Sequence, residues 1–347
     1  MFNIAVKPIV TVIGAGAYGT AMAIALSKYG NAVILWGHDS THIQILKRNR
    51  VNQNNLPDIP FPPLLYLEES LVVALNICQN VLIAVPSYVF SAVLMQLKQL
   101  NIKNNIRIII ASKGLDPKTG QLLQNIVYDI LGDDVPCAVI AGPAFARELA
   151  IGLPTAITIA ATDVQFSYDV QNLLCSIKNL RVYSNTDIIG IQIAGAIKNI
   201  IAIGVGISDG LKFGSNARSA LITRGLAEMS RLGVAIGSTY KVFMGLAGLG
   251  DLILTCTNNQ SRNRRFGILL GKGIDIVSAQ KNIGQVIEGI YSTKSVYMLS
   301  LKHKVNMPIT EQVYQILYKN KNVHEATYFL LRRARSQSTD YIEFDKI

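Results

Sequence analysis

The sequence predicts an α/β domain built on a parallel sheet, followed by an all-α domain. Three observations carry that prediction. Short apolar strand patterns alternate with helical patterns through the first half of the 347 residues. The first of those strands runs straight into a glycine loop. After about Asp187 the strand patterns stop and helical periodicity takes over.

The elements follow in chain order. Strands are predicted at 10–13, 32–36, 81–85, 106–112, 137–141 and 155–160, with helices between most of them, such as 87–97 and 120–131. The run 188–207, IIGIQIAGAIKNIIAIGVGI, is long enough to span a membrane. Gln192, Lys198 and Asn199 inside it are costly in lipid, so it is predicted as a buried core helix. An amphipathic helix follows at 216–232. The domains are therefore read as 1–187 and 188–335, with the boundary near 185–190 and a loose tail at 336–347.

Composition narrows the function classes. Half of the residues are hydrophobic (50%) and few are charged (16%), which excludes a disordered chain. A net charge of +11 suits anionic ligands. The Lys and Arg residues are scattered, without aromatic interleaving or a nucleic-acid motif, so small phosphorylated ligands are expected rather than nucleic acid. Cys78, Cys137, Cys175 and Cys256 have no C-x-x-C spacing and fall in or beside apolar segments. They are expected to be reduced core or near-core thiols of a cytoplasmic protein, with no metal site. The N-terminal apolar stretch runs into the glycine loop and is expected to be a strand, not a signal peptide. No integral membrane segment is expected.

Gly14, Gly16 and Gly19 form G-x-G-x-x-G between the first strand and a run of small and apolar residues that opens a helix. In that context the motif is a dinucleotide-binding fingerprint, and the α/β domain is expected to be Rossmann-like. The first glycine allows the tight turn, the second lets backbone approach a pyrophosphate, and the third lets helix and strand pack closely. The second strand, AVILW, ends in Trp36, Gly37 and His38, with no carboxylate at its tip to bind the ribose hydroxyls of NAD. NADP is favoured, with His38, Lys47, Arg48 and Arg50 as candidate partners of its 2′-phosphate and Trp36 as a candidate to stack on adenine. Asp39 stands slightly beyond the tip, so NAD remains open.

Lys198 carries the expected chemistry. It is a cation in an otherwise small and apolar helix, QIAGAIKNIIAIG, with Ala194, Gly195 and Ala202 at helical spacing leaving space beside it. Burial lowers the pKa of an ammonium, which suits proton donation to a carbonyl as hydride arrives. Asp251, embedded in LAGLGDLILTCT, is its natural partner, and Lys113 at the tip of RIIIASKG is a second cation. Ser261 is a good N-cap for the following helix. Arg262, Arg264 and Arg265 then crowd a first turn that disfavours cations, a conflict that a bound phosphate would resolve.

Together these runs resemble the NAD(P)-dependent sn-glycerol-3-phosphate dehydrogenase family of bacterial type. The likeness spans about 8–318 and includes GAGAYGTAMA, LWGHD, SKGL, AGPAFARELAIGLPTAI, GAIKNIIAIGVGISDGL, FMGLAGLGDLILTCT, NQSRNRRFG and GQVIEG. The resemblance implies reduction of dihydroxyacetone phosphate to sn-glycerol 3-phosphate, a head-group precursor in glycerophospholipid synthesis, by a homodimer of two-domain chains. It implies Lys198 as general acid/base, with Lys113 and Asp251 flanking the reacting centre and Asn199 and Thr255 beside them. It implies substrate contacts at Gly142, Ala144, Ser261, Arg262 and Asn263, with Arg262 and Lys113 also near the cofactor. Cofactor contacts are implied for Gly14, Gly16, Ala17, Tyr18, Gly19, Trp36, His38, Ala146, Val286 and Glu288. Ala17 and Ala144 stand where the family often has hydroxyl residues, so two side-chain donors are lost while the backbone N–H groups at those positions remain. Two other readings are a 3-hydroxyacid or 6-phosphogluconate type of dehydrogenase, and a non-enzymatic NADP sensor. The second would not need Lys198, Asp251 and Arg262.

Overall fold

The computed structural model describes residues 9–100 and 106–332. The tail read from the sequence lies outside the described residues. The chain divides into two compact units, Met1–Ser112 with Leu123–Ile188, and Lys113–Leu122 with Ile189–Ile347.

The first unit contains β1 (Val10–Ile13), α1 (Ala17–Lys28), β2 (Val33–Trp36), α2 (Ser40–Asn49), β3 (Val51–Asn52), β4 (Leu56–Pro60), β5 (Leu65–Glu68) and α3 (Leu71–Ile77). It continues through β6 (Asn80–Ile83), α4 (Ser87–Gln99), β7 (Arg107–Ile110), α5 (Leu123–Leu131), β8 (Cys137–Ala141), α6 (Ala146–Ile151), β9 (Thr155–Ala161), α7 (Val164–Cys175) and β10 (Leu180–Asn185). The main sheet runs β10-β9-β8-β7-β6-β1-β2-β5, and β3 and β4 form a separate hairpin. β1 lies between β2 and β6, parallel to both, so the strand order reverses at its carboxyl end. Ligands of open α/β sheets bind at such a reversal. The central strands VTVI and VILW are buried at every residue, as expected for parallel strands covered on both faces.

The sheet departs from the parallel prediction at one pair. β9 is antiparallel to β8, while β10 is parallel to β9. The connecting helix α6 has only 6 residues, or about 9 Å of helix. That is too short to carry the chain back along β8, so β9 starts from the end where β8 stops.

The second unit is helical apart from its 113–122 segment. Its elements are α8 (Ile188–Gly210), α9 (Gly214–Ala235), α10 (Tyr240–Phe243), a π-helical turn (Leu246–Gly250), α11 (Asp251–Thr257), α12 (Arg262–Gly271), α13 (Ile276–Ile283), α14 (Glu288–Lys302), α15 (Pro308–Lys319) and α16 (Val323–Arg332). Two stretches, Ile188–Gly210 and Tyr240–Thr257, are long and apolar enough to cross a membrane. The apolar window of the first is 83% buried within the protein, which makes it the expected core helix.

Three cysteines follow the sequence reading and one does not. Cys78, Cys137 and Cys256 are buried free thiols, whereas Cys175 is exposed. It ends α7, one residue past the last buried position of that helix, Leu174. Burial pushes the Cys137 thiol up to about 12 and also raises Cys256, so neither supplies a thiolate.

Glu228 of α9 closes the start of α15. Its carboxylate accepts from Ile309 N (2.6 Å), Thr310 N (3.1 Å) and Thr310 Oγ1 (3.1 Å). Burial nevertheless pushes it up to about 7 from an ordinary 4.5, against the pull of those donors and of Arg231. A carboxyl raised in the folded state favours folding fully below its unfolded value and loses that margin as pH rises through the folded one. The shift corresponds to on the order of 3 kcal/mol. Thermal unfolding between about pH 4.5 and 7 is expected to show this loss. A Glu228→Gln protein should have a flatter slope over that interval, and an unchanged slope would remove Glu228 as its source.

Candidate active site

In the first unit the glycine loop is shaped by close approach. Gly14 N–H donates to Trp36 O (2.8 Å), which fixes the loop on the end of β2. Gly14 has a φ of +115°, and a Cβ there would stand 2.6 Å from Ala84 O. A Cβ on Gly19 would overlap the Gly14 carbonyl, while a Cβ on Gly16 would meet nothing within 4 Å. Gly14 and Gly19 therefore serve the turn and the packing, and Gly16 leaves its outer side open. Gly16 is also the N-cap of α1 and supplies no side-chain cap, and a helix start of this kind suits an anion. These features fit a dinucleotide pyrophosphate. Ala17 and Tyr18 begin the same helix, both half-buried.

The strand tip is largely occupied by packing contacts. The Trp36 side chain is 6% exposed and its Nε1 donates to Glu69 O (3.0 Å). The indole is thus largely packed into the unit, and the Trp36 carbonyl holds the glycine loop. Two of the four candidate 2′-phosphate partners are engaged elsewhere. Lys47 pairs with Glu69 (2.6 Å), and Arg50 donates to Leu65 O (2.9 Å) and Pro62 O (2.6 Å). His38 and Arg48 are exposed. Asp39 caps α2 through His42 N (3.1 Å). At the end of β8, Gly142 has a φ of +135°, Ala144 is buried and Ala146 opens α6.

In the second unit Lys198 does not reach the surface. Its side chain is 6% exposed and that of Asp251 is 2%. Lys198 Nζ lies 2.5 Å from Asp251 Oδ1 and donates to Thr255 Oγ1 (3.1 Å). Lys113 Nζ lies 3.1 Å from Asp251 Oδ2. Helical phase explains the grouping: Asp251 and Thr255 are four residues apart on α11 and share one face. Thr255 Oγ1 donates to Asp251 O (2.6 Å), so its lone pairs are turned to the ammonium. The space read beside Lys198 is filled in part by Lys113. A Cβ on Gly195 would come 3.8 Å from Lys113 Cβ and Cγ.

Electrostatics follow from this geometry. Burial pushes Lys198 down to about 7, with Asp251 opposing and Lys113 adding to the push. Burial alone would raise Asp251, but Lys113 and Lys198 together hold it below the usual carboxylate range. An ammonium has three donors. Asp251 and Thr255 take two of them.

Beside this cluster Asn199 and Asn263 are joined. Asn263 Nδ2 donates to Asn199 Oδ1 (2.9 Å), and Asn263 Oδ1 accepts from Gly289 N (2.8 Å). The pair thereby links α8, α12 and the start of α14, and Asn263 keeps one N–H to offer. Ser261 caps α12 as expected, accepting from Arg264 N (3.2 Å). Arg262, half-buried, is lowered by desolvation, with Glu288 opposing and Arg265 adding. Val286 is half-buried two residues before Glu288. The crowded arginines separate: Arg264 turns to Asp209 (2.6 Å) and Asn259. Asp209 was not read from the sequence, although it is a lone acid in an apolar helix, the same signal that singled out Lys198. Among the described residues no group of three or more His, Cys, Asp or Glu side chains could hold a metal ion.

A Rossmann-like unit with an open glycine cradle, and a helical unit with a buried Lys–Asp–Lys cluster, define a dinucleotide-dependent oxidoreductase. Residues 9–167 match the family model for the NAD-dependent glycerol-3-phosphate dehydrogenase N-terminus, and residues 187–328 match that for its C-terminus. The chain belongs to this family. It is 68% identical over 330 residues to glycerol-3-phosphate dehydrogenase [NAD(P)+] of Blochmanniella pennsylvanica, covering 95% of this chain and 96% of the relative. It is 60% identical to the Sodalis glossinidius protein of the same name, covering 93% and 96%. The crystal structure of glycerol-3-phosphate dehydrogenase from Coxiella burnetii superposes with a TM-score of 0.90 at 46% identity, covering 94% of this chain and 99% of that one.

Proposed function

We propose that this protein reduces dihydroxyacetone phosphate reversibly to sn-glycerol 3-phosphate with NADPH or NADH. The observation that carries the reading is the buried ammonium of Lys198 held between Asp251 and Thr255. Residues 1–187 hold the dinucleotide through the glycine loop and α1. Residues 188–335, joined by Lys113, hold the ketone and supply the proton. The bound dinucleotide supplies the hydride.

Lys198 donates its free proton to the C2 oxygen as negative charge develops there, and takes it back in oxidation. Asp251 and Thr255 aim it. Lys113 keeps positive charge beside the reacting oxygen when Lys198 has become neutral, which stabilises the oxyanion. Arg262, Asn263 and the α12 N-terminus receive the phosphate. The reading extends to a cytoplasmic homodimer; the buried free thiols Cys78, Cys137 and Cys256 are compatible with a reducing compartment.

Steady-state kinetics with dihydroxyacetone phosphate and each reduced dinucleotide test this directly. Turnover is expected with both, and no turnover with either would refute the reading. The pH profile tests Lys198 separately. Reduction needs the ammonium and should fall as pH rises through about 7, whereas oxidation needs the free amine and should rise through the same value. Parallel profiles in the two directions would remove Lys198 as the proton carrier.

A further inference from the structure

The helix that presents Arg262 and Asn263 has an unusual seat. α8 and α12 meet backbone to backbone through two glycine pairs. A Cβ on Gly206 would stand 3.0 Å from Gly267 Cα, and one on Gly210 would stand 2.9 Å from Gly271 Cα. A Cβ on Gly267 would overlap Ile203 O, and one on Gly271 would overlap Ile207 O. Such a seam brings the helices close, but it has no side-chain ridges to fix their register. Polar pairs beside the seam must therefore supply the register. One is Asn199–Asn263; the other is Asp209–Arg264.

Asp209 is the more connected of the two. Its Oδ2 accepts from Arg264 Nη2 at 2.6 Å and from Arg218 Nε at 3.2 Å, and its Oδ1 accepts from Arg218 Nη2 at 2.8 Å and Nε at 2.9 Å. The Asp209 and Arg264 side chains are 7% and 9% exposed. Arg264 also donates to Asn259, and its own N–H is held by the Ser261 cap. One side chain thus ties α8, the 258–261 turn and the first turn of α12. No acid in that turn balances its arginines. Asp209 supplies the balance from α8 and holds Arg264.

We propose that Asp209 is a positioning residue for phosphate recognition: it fixes Arg264, and through it the turn that presents Arg262 and Asn263. This rests on the reading of Arg262 and Asn263 as the phosphate ligands. The energetics favour such a role over plain stabilisation. A buried ion pair contributes little net stability, because desolvation offsets its attraction, but it constrains geometry strongly. A small displacement of a substrate clamp can cost up to about a hundredfold in rate.

The test uses the full-length enzyme with either reduced dinucleotide. It compares kcat and KM for dihydroxyacetone phosphate with those for unphosphorylated dihydroxyacetone. Asp209→Asn should raise KM for the phosphorylated ketone about tenfold, leave its kcat little changed, and lower the preference for phosphate by a similar factor. Arg218→Ala should leave all of these unchanged, because the shorter Arg264 bond to Asp209 Oδ2 (2.6 Å against 3.2 Å from Arg218 Nε) remains. Asn259→Ala, at an exposed position, removes the other anchor of Arg264 and should shift the preference in the same direction by less. It decides the matter alone if Asp209→Asn does not fold. Equal loss with both ketones in Asp209→Asn, or an Arg218→Ala that reproduces its KM, makes Asp209 structural and overturns the proposal. Arg262→Ala run alongside separates the two possible failures. If it leaves the preference unchanged, the phosphate reading fails. If it lowers the preference while Asp209→Asn and Asn259→Ala do not, only the positioning role fails.

Discussion

Lys198→Ala is expected to lower kcat for ketone reduction by about 10² to 10⁴-fold, the usual loss for a general acid. Dinucleotide affinity, measured by fluorescence titration of NADPH, should change little. The size follows from the surroundings. Lys198 is 5% exposed, so no bulk water stands ready to replace its proton. Lys113 is the only other ammonium on Asp251 among the described residues, and it bonds the opposite carboxylate oxygen. Lys198→Arg should fail nearly as badly. A guanidinium keeps the charge but holds its proton too tightly to give it up near neutrality. A control guards against trivial unfolding: the alanine protein should still bind NADPH and melt cooperatively. Near-normal kcat in a folded Lys198→Ala protein would remove this residue from the mechanism.

The sequence was most legible where a residue conflicts with its surroundings. Lys198 and Asp251 stand alone in apolar runs, and burial forces such charges to find each other. The glycine loop was legible because its spacing sits between a strand and a helix. The central strands were legible because parallel strands covered on both faces are continuous apolar runs. The edges of the sheet were not. β5 and β10 were missed, and β10 alternates buried with exposed residues in LRVYSN. Its polar positions, Arg181, Ser184 and Asn185, dilute the apolar signal. The direction of β9 was also hidden, because it depends on the length of α6 rather than on β9 itself. A strand-end aromatic such as Trp36 reads alike in sequence whether it packs or stacks, and its burial and its bond to Glu69 O belong to packing. Asp209 shows the limit from the other side. Its conflict was visible, but its partners come from α9 and α12, and pairing across three helices is a property of packing.

Arg262→Ala is expected to raise KM for dihydroxyacetone phosphate by on the order of ten- to a hundredfold. Charged hydrogen bonds contribute about 1.5–3 kcal/mol, and each 1.4 kcal/mol is about tenfold in binding. The structure sharpens which arginine to test. Arg264 is committed to Asp209 and Asn259, and Arg265 is exposed. Arg262 is half-buried, one residue past the Ser261 cap, and lies in the field of Glu288 at the start of α14. Desolvation there makes each bond to a phosphate oxygen stronger than it would be in water. Unphosphorylated dihydroxyacetone never uses the contact, so its kcat/KM should fall far less. Lys at the same position should rescue only in part, because a point charge cannot reproduce the planar fork. The deciding quantity is the ratio of kcat/KM for the two ketones. An unchanged ratio in Arg262→Ala places the phosphate elsewhere, with Lys113 the next residue to test. A parallel loss of NADPH affinity would instead show Arg262 serving substrate and cofactor together.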